Sequence, residues 1–127
     1  MNVDRVRSAV VLLSAVLALG CAAMAVAHAG VNVPVLSRIG PSGEATVPPA
    51  VVGFSVAAVV LALVAVGAAR RRAWAWALGI VAHALVILGA ALPFRGIGSL
   101  IGIVTSGIAL GLLVSRPGRD GLLTTTT

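Results

Sequence analysis

The chain has 127 residues, 60% of them hydrophobic and 9% charged, with a mean hydropathy of +1.16. Soluble domains are roughly a quarter charged, so this composition excludes an ordinary water-soluble domain. The net charge of +6 does not point to nucleic acid, because that function needs basic groups clustered on a solvated face, whereas these arginines stand at the ends of apolar runs.

Four apolar stretches, 8–29, 50–69, 73–93 and 97–115, contain no Asp, Glu, Lys or Arg. Each matches the roughly 20 residues that a helix needs to cross a hydrocarbon core. The first could be mistaken for a secretory signal, since Ala27, His28 and Ala29 form an A-x-A site after a charged beginning. Its apolar run is longer than the roughly 7 to 15 residues of a signal core, so it is read as a retained span. Ser14, Ala18, Cys21, Ala25 and His28 share one face of this helix. The lone Cys21 has no disulfide partner, and Leu19 is too bulky for a lipoprotein cleavage site before it. His28 is expected at the outer surface as a solvated end-of-helix residue.

Segment 30–47 alternates Val31, Val33 and Val35 with Asn32 and Pro34, then carries a turn signal at Gly40 to Gly43. It reads as a short extracytoplasmic hairpin, as a loop folded over the helix ends, or as a plain linker. Pro48 and Pro49 open the second helix, in which Ser55, Ala58, Ala62, Ala65 and Ala69 form a small-residue stripe. The triplet Arg70, Arg71 and Arg72 follows, and burying each at mid-membrane would cost about 2.5 to 3.5 kcal/mol, so a tight surface turn is expected there. Trp74 and Trp76 stand just beyond, at the depth where interfacial aromatics settle, and with the triplet they form a topology and lipid anchor.

The third helix carries Trp76, Gly79, His83 and Ala90 as its packing seam, and Pro93 to Gly96 separate it from the fourth. The fourth has two G-x-x-x-G pairs, Gly98 with Gly102 and Gly107 with Gly111, suited to close helix packing within the chain or between molecules. Tail 117–127 lacks the apolar pattern and is expected to be disordered. Seven arginines fall at the beginning, the second gap and the tail, against Arg38 and Arg95 in the alternate gaps. The positive-inside rule then places both termini in the cytoplasm.

His83 is the main candidate for chemistry. It lies nine residues after Trp74, and Ser106 lies nine before Ser115, so at about 1.5 Å per residue the two share a depth near the bilayer midplane. An ionisable residue there is a functional candidate by default. The plainer reading is a neutral imidazole hydrogen-bonded to Ser106, Thr105 or a carbonyl, and the sharper one is a midplane polar element of a transporter or channel. Catalysis lacks support, since Thr105–Ser106–Gly107 has neither orienter nor polar surround. Cys21 and His28 are about 10 Å apart along one helix, too far to chelate an ion without other ligands. Small multidrug transporters share this size but depend on a glutamate in the first helix, whereas the acids here are Asp4, Glu44 and Asp120.

Arg72, Trp74, Ala77, Leu78 and Gly79, the apolar helix ending at Pro93, the Gly-rich fourth helix and the Arg116–Pro117–Gly118–Arg119 tail resemble uncharacterised small four-helix integral membrane proteins of high-GC actinobacteria. That resemblance implies a fold and a location and no activity. The expected architecture is all-α: a single polytopic membrane domain, an antiparallel four-transmembrane-helix bundle with a short extracytoplasmic loop in the plasma membrane. The expected role is non-enzymatic and needs no cofactor or metal. It is that of an accessory or structural subunit whose partners are the lipid bilayer and either a second copy or a larger membrane protein. The alternative is a small transporter or channel built on His83.

Overall fold

The computed structural model describes residues 2–32, 34–35, 38, 46–92 and 94–124. It contains five helices and, among the described residues, no strand: α1 (Val3–His28), α2 (Pro48–Ala69), α3 (Trp74–Ala91), α4 (Ile97–Val114) and α5 (Arg116–Leu123). The first four are long and apolar enough to cross a membrane. The proposed turn at Gly40 to Gly43 lies outside the described residues.

Polar caps extend some helices beyond the apolar runs. Asn2 accepts a hydrogen bond from the Asp4 amide, and Asp4 lies in the first turn, so α1 starts five residues before its uncharged stretch. Pro48 and Pro49 occupy the first turn of α2, where missing amide donors cost little. Both α1 and α2 end in paired carbonyl-capping bonds. Gly30 donates to Ala27 and Val31 to Val26 after α1, and Arg71 donates to Ala68 and Arg72 to Gly67 after α2.

The tail departs from the sequence expectation. Ser115 ends α4 and caps α5: its hydroxyl donates to the Leu112 carbonyl at 2.6 Å and accepts from the Gly118 amide at 3.3 Å. Pro117 sits in the first turn of α5, where its fixed φ is an advantage, so it helps to start a helix in the segment expected to be disordered. Leu122 anchors the new helix and is 1% exposed. Residues 125–127 lie outside the described residues.

Each of α1 and α3 packs against both α2 and α4, with α1 most extensively on α2, and α5 folds back onto α1. Val10, Ala68, Ala75, Leu113 and Leu122 form one buried cluster, and Leu17, Ala18, Leu61, Val64 and Ala82 form another. Small residues permit close approach. A Cβ on Gly79 would meet Leu113 at 3.0 Å and Val64 at 3.3 Å, and one on Gly67 would enter the Trp74 ring at 2.6 Å. The expected stripe on α2 is largely not the packed one: Ser55, Ala62 and Ala69 are exposed, while Leu61, Val64, Ala65 and Ala68 are buried. In a segment apolar all round, composition does not say which side faces a neighbour. Leu12, Leu19, Val52, Leu85, Leu92 and Ile108 point outward, an exterior suited to lipid.

Candidate functional site

The interior polar site is built from three helices. Ser14 of α1, His83 of α3 and Ser106 of α4 each have 0% exposure. His83 Nε2 lies 3.1 Å from Ser14 Oγ, and Nδ1 lies 3.3 Å from Ser106 Oγ. A neutral imidazole has one N–H donor and one bare nitrogen acceptor, so one serine accepts from the ring while the other donates to it. Both ring nitrogens are thereby occupied, and among the described residues no buried side-chain nitrogen or oxygen lacks a partner.

Local sequence explains why the side chains converge. On α1, Ser14 lies one turn beyond Val10 and one turn before Leu17 and Ala18, so it faces the same interior as those buried residues. On α3, Gly79 stands one turn before His83 and lets α3 approach α2 and α4 closely, which brings the imidazole within reach of its partners. On α4, Ser106 shares its face with Ser99, Ala109 and Leu113.

Ser106, at the depth of His83 on the next helix, lies beside it in the structure. Ser14 reads in sequence only as a member of the small-residue face of α1. Ser14 lies seven residues, about 10 Å, beyond Arg7, which puts a polar group well inside the first apolar run. Thr105 is not bonded to the ring; its neighbour Ser106 is.

His28 differs from expectation. It is buried at 4% exposure, with Nδ1–H donating to its own helix at the Met24 carbonyl over 2.8 Å and its ring 5.2 Å from that of Phe54. The opening turn of α2 covers it, because Val47 donates its amide to the His28 carbonyl and brings the two helix ends together. Among the described residues, no group of three or more His, Cys, Asp or Glu could hold a metal ion.

The four glycines of α4 do not act alike. Gly102 faces α3, where an added Cβ would lie 3.6 Å from Ala90. Gly98, Gly107 and Gly111 are exposed, with nothing within 4 Å of an added Cβ. Gly107 and Gly111 lie on the same outward face as the exposed Leu100, Val104 and Ile108. The anchor residues also divide. Trp74 is 49% exposed, whereas Trp76 turns inward and donates its indole N–H to the Leu113 carbonyl at 2.9 Å. Arg70, Arg71 and Arg72 are all exposed, and Arg71 reaches Asp4 at 3.3 Å.

Comparison with protein-family models, with curated proteins and with solved structures found no match in any of the three.

Proposed function

We propose that this chain is an accessory or structural subunit of the plasma membrane, with four antiparallel spans, both termini cytoplasmic and no catalytic role of its own. It associates laterally through the outward face of α4. The observation that carries this reading is the contrast between a saturated interior and an uncovered small-residue exterior. His83 spends both ring nitrogens on Ser14 and Ser106, all three at 0% exposure, while a Cβ added at Gly107 or Gly111 would meet nothing within 4 Å. Membrane helices gain contact by bringing backbones close, and an outward glycine pair bordered by Val104 and Ile108 is a shape into which a second helix fits. A transporter, by contrast, needs polar groups that meet water or substrate within the span.

The test is disulfide crosslinking in native membranes from cysteines placed singly at Gly107 or Gly111 in a Cys21→Ser background. The expected result is a discrete adduct of dimer size or of one larger partner, with no adduct from Leu85 on the exposed side of α3. Equal crosslinking from both faces would overturn the proposal. Proton flux in proteoliposomes that is lost in His83→Leu would replace it with the transporter reading.

A further inference from the structure

We propose that the arginine-bearing end of the molecule is a preassembled site for the phosphate headgroups of anionic phospholipids, completed by the docking of α5. This inference rests on the reading that α1 to α4 span a bilayer.

Three contacts bring the relevant segments to one end. Arg71 of the α2–α3 turn reaches Asp4 at the start of α1, Trp76 at the start of α3 bonds to Leu113 at the end of α4, and Gly121 of α5 lies over Val3, where an added Cβ would come within 2.7 Å. Seven guanidiniums therefore gather there: Arg5 and Arg7 of α1, Arg70 to Arg72 of the turn, and Arg116 and Arg119 of α5. Two carboxylates, Asp4 and Asp120, oppose them, leaving a surplus of five positive charges. The ion pairs formed among the described residues, Arg7 at 3.0 Å and Arg71 at 3.3 Å, both use Asp4. Arg5, Arg70, Arg72, Arg116 and Arg119 are exposed and make no ion pair among those residues.

A free tail would hold Arg116 and Arg119 only as a diffuse cloud of charge. Docking gives them fixed places. Leu122 enters the cluster of Val10, Ala68, Ala75 and Leu113, and Gly118 sits against the Leu112 carbonyl where no side chain fits, so Arg116 and Arg119 are held at exposed positions of α5. Guanidinium forks match phosphate oxygens and are less strongly hydrated than ammonium groups, which suits them to the headgroup layer. The half-exposed Trp74 beside the triplet belongs at the same depth. Clusters of four to eight arginines next to apolar spans attract anionic lipid, each worth about a fivefold change in partition.

The experiment is native mass spectrometry of the full chain in mild detergent, titrated with phosphatidylglycerol or with phosphatidylcholine. Preferential retention of phosphatidylglycerol is expected, weakened about fivefold by Arg72→Gln and again by Arg119→Gln, both at exposed positions where folding is not at stake. Leu122→Ser changes no charge but releases α5, and it should weaken phosphatidylglycerol binding as much as removing Arg116 and Arg119 together. Equal retention of the two lipids, or Arg→Gln variants that bind like the wild type, would overturn the proposal. So would undiminished binding by Leu122→Ser once amide exchange shows α5 released, because bare charge would then suffice. Extraction of the wild-type chain from membranes by alkaline carbonate would instead refute the spanning reading itself, and the proposal with it.

Discussion

α1 and α2 stop in the same hydrogen-bond pattern but with different residues at the critical position. After α1 that position is Gly30, at φ +90°, and after α2 it is Arg71, at φ +54°. Glycine adopts this left-handed conformation at little cost, while a residue with a Cβ gives up roughly 1 to 2 kcal/mol. The far end of the molecule therefore uses the residue that backbone sterics favour, and the arginine-bearing end does not. Arg71, through Asp4, ties the α2–α3 turn to the start of α1. The two turns teach that a tight turn tolerates a left-handed arginine where its side chain links two helix ends.

The contrast extends to packing. The arginine-bearing end is closed by α5, with Gly67, Gly118 and Gly121 pressed against neighbours, whereas Gly98 near the other end meets nothing within 4 Å. The largest expected effect follows from this. Gly118→Val must displace the Leu112 backbone and should lower stability by about 1 to 3 kcal/mol or release α5, whereas Gly98→Val should leave thermal unfolding in detergent nearly unchanged. If both variants unfold alike, the two ends are not packed differently. Next comes the turn pair itself. Gly30→Ala should destabilise by roughly 1 to 2 kcal/mol, and Arg71→Gly should stabilise by a similar amount, less the small contribution of its exposed contact with Asp4. Opposite signs in paired melts would sharpen the comparison, and equal signs would break it. The smallest effect is expected midway between the ends. His83→Leu removes two interhelical hydrogen bonds of about 0.6 kcal/mol each, so unfolding should shift by about 1 kcal/mol. A loss several times larger would mean that the polar layer, and not either end, organises the helices.

Much of this was legible from residue order. Uncharged runs of membrane length gave the four long helices, and equal depth gave His83 and Ser106, since rise per residue is fixed for any helix. The rest depended on which faces meet. His28 stands at a helix end, where solvent is the natural expectation, yet the close approach of Val47 and Phe54 buries it. The α5 helix lies where the apolar pattern has ended, and its cap, Ser115, also ends α4. Leu122 has little meaning in a short polar tail until Val10 and Leu113 offer it a place.

Sequence by itself determined where the chain can bury backbone and where it cannot. An uncharged run of sufficient length satisfies its own amide groups as a helix, and guanidinium groups resist transfer into hydrocarbon. Only the tertiary structure decided that Ser14 rather than Thr105 joins His83, that Gly107 and Gly111 face outward, and that the tail closes one end. The physical reason is that a helix apolar on every side carries no mark of its inner face, so rotation about each axis is set by close packing and by a few hydrogen bonds between helices.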